Sequence, residues 1–223
     1  MHRSSRLEGR AAARSCASSL APPQAPVIAI IAIAVTAVGA LAWSPRRTGV
    51  DAWAAHALTV SEHSLPYRFA SRLDDTMRVL GVLAGSLAIA LVAWVLLRRR
   101  DAVVASLVVA PATVAAEQLL KLAGRRSLGL ANFSYPSGRA ALATSLVLLL
   151  VLVLRAAGVR PVVRALVGIL GAVYVLTMAW ARVATWQHRL TDVAGGISVG
   201  VAVTLVTLLV LTAWRQRTSE TDY

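Results

Sequence analysis

The 223-residue sequence predicts an all-α polytopic membrane protein with six transmembrane helices. Two observations lead there: 57% of the residues are hydrophobic against only 15% charged, and the apolar residues fall in six long runs. Water-soluble domains carry about a quarter charged residues, and disordered chains are far less apolar. A third observation is the 23 Lys and Arg residues, nearly all Arg, which cluster between the apolar runs rather than along one face. That placement excludes a nucleic-acid footprint and matches the charge signals that orient membrane helices. The single Cys16 forms no intrachain disulfide, and no Cys/His cluster has zinc spacing.

A bilayer core takes about 20 apolar residues per helix. Six segments meet or approach this: Val27–Trp43, Val79–Leu97, Ala102–Leu120, Ala140–Val159, Pro161–Trp180 and Val193–Trp214. All are too long for strands. Residues 1–26 form a basic tail with Arg3, Arg6, Arg10 and Arg14, expected to be disordered and cytoplasmic. Residues 27–214 form the membrane domain, and 215–223 a second short cytoplasmic tail. With the N-terminus inside, Arg98–Arg100, Arg155, Arg160, Arg164, Arg215 and Arg217 also lie inside.

The first outer loop mixes Arg46, Arg47, Arg68, Arg72 and Arg78 with Asp51, Glu62, Asp74 and Asp75. Lys121, Arg125, Arg126, Arg139, Arg182 and Arg189 then crowd at helix ends on that same outer face. Some of these are expected to be interfacial side chains reaching for water, Arg125 and Arg189 first. Lys121 also stands four residues after Glu117, the spacing of a helical ion pair. Collectively, however, such a cluster needs an anion. Trp43, Trp94, Trp180, Trp186 and Trp214 read as interface anchors, and Gly81-x3-Gly85 and Gly196-x3-Gly200 as close-packing faces.

Three segments meeting at this face carry recognisable pieces: Lys121 with Arg125 and Arg126, then Tyr135-Pro136-Ser137-Gly138-Arg139, then Arg182 through His188 to Asp192. Together they resemble the three-part signature of the type 2 phosphatidic acid phosphatase superfamily, K-x6-R-P, P-S-G-H and S-R-x5-H-x3-D. The third element is present as Arg182, His188 and Asp192, with Ala181 in place of Ser. The second matches through Pro136, Ser137 and Gly138, but Arg139 replaces the histidine; the first is loosest, with Arg126 five residues after Lys121 and Leu128 at seven.

The resemblance implies a lipid phosphate or polyprenyl diphosphate hydrolase that needs neither cofactor nor metal. Lys121, Arg126, Ser137, Gly138, Arg139 and Arg182 would bind phosphate. His188 would be the nucleophile, with Asp192 as its orienting partner. These residue types suit the chemistry, because phosphoryl transfer gathers negative charge that cations and free helix N–H groups can stabilise. If the sixth helix begins near His188, the four-residue spacing sets both catalytic residues on one face.

Arg139 is the departure, since a guanidinium stays protonated and donates no proton to a leaving oxygen. Three readings stand open. Diphosphates with a good leaving group are still cleaved; the chain binds lipid phosphate without turnover; or His56 or His63 supplies the acid. A transporter is a more distant reading, because only Pro111, Glu117 and Arg164 interrupt the spans. Expected partners are a lipid phosphate and the membrane lipids, with no nucleic acid, and homo-oligomerisation stays open.

Overall fold

The structure, a computed structural model, describes residues 20–41, 48–124 and 134–220. The expected tail over residues 1–19, Trp43, Arg125, Arg126 and the last three residues lie outside the described residues. The described elements are all helical: α1 Ala25–Leu41, α2 Gly49–Leu58, α3 Leu65–Asp75, α4 Val79–Leu97, α5 Arg100–Gly124, α6 Gly138–Ala156, α7 Pro161–Ala184 and α8 Leu190–Glu220.

Five of these, α4 to α8, are long and apolar enough to cross a membrane. Helix α1, expected as the first span, is equally apolar but has 17 residues, at the lower limit for crossing. Several helices outrun their apolar windows. Helix α5 begins at Arg100 and α8 continues to Glu220, because straight-chain polar residues extend a helix into the interface as readily as apolar ones. Two short helices in the first loop were not foreseen as elements. Their starts are nevertheless written in the sequence: the side chains of Thr48 and Ser64 accept the backbone N–H of Asp51 (3.1 Å) and Tyr67 (3.2 Å), satisfying first-turn donors.

Helices α6 and α8 form the centre of the bundle, with α5, α7, α4 and α1 around them. Their close contact comes from small residues. A Cβ at Gly196 would lie 2.3 Å from the Ser137 carbonyl oxygen, and one at Gly200 2.4 Å from that of Ala141. Glycine there brings the two backbones together, as the spacing suggested. Polar groups add to the packing: Ser145 of α6 donates to the Gly200 carbonyl of α8 at 3.3 Å, and its hydroxyl lies 2.9 Å from that of Thr113 on α5. Large apolar side chains such as Leu80, Leu91, Val162 and Leu176 face outward, as a lipid-facing surface requires.

Candidate active site at one end of the bundle

The C-terminal ends of α3, α5 and α7 and the N-terminal ends of α6 and α8 converge at one end of the bundle. Tyr135 fixes the segment leading into α6. It is 1% exposed, its hydroxyl donates to the Thr36 carbonyl of α1 at 2.7 Å, and its ring fills the space left open by Gly39 and Gly195. The Tyr135–Pro136 peptide bond is cis. Ser137 follows, fully buried, with its backbone N–H donating to the Asp192 carbonyl at 2.9 Å. That single bond ties the start of α6 to the start of α8.

Ser137 occupies the N-cap position of α6, but its hydroxyl makes no capping bond and has no partner in the structure. An ordinary cap would use that oxygen. The carboxylate of Glu117 sits against Gly138, where an added Cβ would meet its Cδ at 2.4 Å, and the same carboxylate is ion-paired with Lys121. Lys121 therefore makes the membrane-edge pair that its spacing suggested, at the mouth of α6, where free N–H groups and the helix dipole favour an anion.

Arg182 is buried near the end of α7. Its Nη1 donates to Asp74 Oδ1 at 2.7 Å and to the Gln187 side-chain oxygen, while its Nε is buried without a partner. Arg139 is ion-paired with the other oxygen of the same Asp74, so one carboxylate from α3 holds two guanidiniums.

His188 lies between α7 and α8, not on α8, which begins at Leu190. The expectation of a shared helical face is corrected accordingly: the contact with Asp192 arises from a turn. Trp186 takes a positive φ of 60°, and the Arg182 carbonyl accepts the backbone N–H of both Gln187 (3.2 Å) and His188 (3.0 Å). The turn returns the ring toward α8, with its Nδ1 3.8 Å from Asp192 Oδ2, longer than a hydrogen bond. Asp192 is fully buried, and the same oxygen accepts the Arg189 N–H at 3.1 Å. Burial lowers the His188 pKa below the usual histidine value; the neighbouring positive charges of Arg182 and Lys121 act in the same direction, and Asp192 opposes them. A lowered pKa favours the neutral ring at pH 7. A cavity of about 20 Å³, lined by Asp51, Trp186, His188 and Arg189 among others, adjoins the ring.

The structure thus brings Lys121, Ser137, Gly138, Arg139, Arg182, His188 and Asp192 to one place. Arg126 lies outside the described residues, and His56 and His63 are solvent-exposed. Sequence reasoning treated Asp51 and Asp74 only as charges diluting a basic loop. Both are buried site residues: Asp74 through the two arginines, and Asp51 because it accepts the Thr191 N–H (3.0 Å) and hydroxyl (3.1 Å) at the first turn of α8. An available signal was that each acid falls in a short helix that a capping residue announces.

The described residues thus form a helical bundle, five of whose helices are long and apolar enough to cross a membrane, that gathers cations, a histidine and buried carboxylates at its helix ends. The family model of the PAP2 superfamily matches residues 110–216, the stretch holding all three motif elements. Over those residues the chain is similar to this superfamily. Among solved structures, it is similar to the PAP2-type phosphatidylglycerolphosphate phosphatase of Bacillus subtilis, with 15% identity and a TM-score of 0.65 over 88% of this chain and 98% of the other. At that identity the likeness concerns the fold. No curated protein matches.

Proposed function

We propose that this chain hydrolyses a lipid phosphate or polyprenyl diphosphate at the outer membrane face, with both termini cytoplasmic. The observation carrying the reading is the convergence of His188, Asp192, Arg182 and Ser137, in which the Ser137 hydroxyl and Arg182 Nε are buried without a protein partner. Buried polar atoms are almost always satisfied, so two unpaired ones beside a neutral histidine suit an anionic ligand.

The neutral His188 ring attacks phosphorus; a P–N bond forms as the bond to the leaving oxygen breaks. Water then cleaves the P–N bond, releasing inorganic phosphate and restoring the imidazole. Asp192, facing Nδ1, holds the ring tautomer and stabilises its positive charge, which requires the 3.8 Å separation to close on substrate binding. Arg182, Lys121, Arg126 and the start of α6 at Ser137 and Gly138 receive the phosphoryl oxygens, with Arg139 beside them. An apolar cavity of about 340 Å³ between α1, α5 and α8, lined by residues that include Thr36, Leu120 and Val203, offers space for hydrocarbon near Lys121.

Without an acid at residue 139, leaving groups that need a proton depart slowly, by about 10² to 10⁴ in rate. Diphosphates, whose leaving group is itself a phosphate, are favoured. A second reading has a specific observation behind it: Arg139 is engaged by Asp74, which suits a binder of lipid phosphate that does not turn it over.

Phosphate release from phosphatidic acid and from a polyprenyl diphosphate decides between them, run with the wild type, His188→Ala and Arg139→His. Activity lost in His188→Ala, with diphosphate preferred, supports hydrolysis. A silent wild type with an active Arg139→His supports the binder, and silence of all proteins on every lipid removes hydrolysis from consideration.

A further inference from the structure

We propose that Asp74 is a positioning residue of the phosphoryl site: from α3, its carboxylate holds Arg182 and Arg139 together and so sets the guanidinium of Arg182 for phosphate. This rests on reading the site as one that receives a phosphoryl group. Asp74 belongs to none of the three motif elements and lies in the loop between the first two long apolar runs.

Geometry separates its role from that of a simple surface pair. The Asp74 side chain is 6% exposed and that of Arg182 8%. A carboxylate so buried must be paired, and here both its oxygens are used, Oδ1 by Arg182 and Oδ2 by Arg139. Two guanidiniums this close would otherwise repel each other and turn apart.

Arg182 is bound asymmetrically. Its Nη1 serves Asp74 and Gln187, and its Nε has no protein partner. A planar guanidinium pinned at one end presents the rest of its fixed fork in one orientation, which is what a phosphoryl group in the site meets. Arg139 adds a charge where the resembling family carries histidine, and Asp74 is the group that balances it. Arg139 therefore acts on the site through Asp74 as well as by its own charge.

The test is a double-mutant cycle read by affinity for inorganic phosphate, measured on the full chain in detergent by phosphorus NMR or calorimetry. The proteins are wild type, Asp74→Asn, Asp74→Glu, Arg139→Gln and the Asp74→Asn/Arg139→Gln double variant. Asp74→Asn is expected to weaken binding at least tenfold, and Asp74→Glu, which keeps the charge, to recover part of the loss. Arg139→Gln should cost clearly less once Asp74 is already Asn, a coupling that a merely structural Asp74 does not produce.

Unchanged or tighter binding in Asp74→Asn overturns the proposal while leaving the phosphoryl site standing, since the carboxylate is then idle or a competitor. Additive losses overturn it as well. If the wild type binds no phosphate, the phosphoryl reading itself fails and this inference with it. Should Asp74→Asn not fold, hydrogen exchange of the wild type decides: phosphate is expected to preserve or deepen protection of residues 65–75, and faster exchange there means that Asp74 lets go.

Discussion

Gly196→Ala provides a direct test of how the helix seam controls the site. An alanine Cβ would sit 2.3 Å from the Ser137 carbonyl oxygen and 3.2 Å from the Ala140 Cβ, whereas real Cβ contacts stay beyond 3.0 Å. The obstacle is backbone, so no side chain can rotate away. Helices α6 and α8 must separate by roughly the missing distance, and overpacking of this kind costs about 1–3 kcal/mol. The Ser137 carbonyl also accepts the first helical bond of α6, from Ala141 at 3.1 Å, and the Ser137 N–H bonds the Asp192 carbonyl. The wedge therefore acts where the phosphoryl site is assembled.

Gly200→Ala is the matched control, one turn further along α8, with a comparable approach of 2.4 Å to the Ala141 carbonyl oxygen. Unfolding midpoints in detergent and phosphate affinity are the two readouts. Both variants should lose similar stability, and Gly196→Ala should lose several-fold more phosphate affinity. Unchanged stability of Gly196→Ala, or equal damage to binding from both variants, would refute the idea that this contact sets the site.

Two further outcomes follow from buried groups. Asp51→Ala removes the carboxylate that accepts the Thr191 N–H and hydroxyl at the start of α8; the unfolding midpoint should fall in line with a loss of about 1–2 kcal/mol, as for a lost N-cap, and no shift would mean that α8 satisfies its own first turn. The His188 pKa is lowered by burial, so the unfolded chain takes up the proton first as pH falls below about 6.5, the ordinary histidine value. Stability present above that pH is lost on the way down toward the folded-state value, and the wild type should lose more stability between pH 7 and 5 than His188→Asn does. Parallel pH profiles of the two proteins would show that His188 does not titrate across folding.

The helical membrane class was determined by the sequence alone, because apolar runs near 20 residues allow little else: a spanning backbone must satisfy its hydrogen bonds within itself. The resemblance also placed Arg182, His188 and Asp192 in one neighbourhood, and their short spacing made that nearly independent of how the bundle packs. Gly196 and Gly200, four residues apart, marked a close-packing face in the same local way, though not the helix that packs on it. The tertiary structure decided everything that joins distant segments. Asp74 and Arg182 are 108 positions apart and Asp51 and Thr191 are 140 apart, and no local periodicity records which acid in a mixed loop will be buried. The structure also moved His188 off α8, since a positive φ at Trp186 ends the preceding helix in a turn that residue spacing does not reveal. Local chemistry follows from neighbours in sequence, whereas the pairing of buried charges depends on which helix ends meet, and only packing settles that.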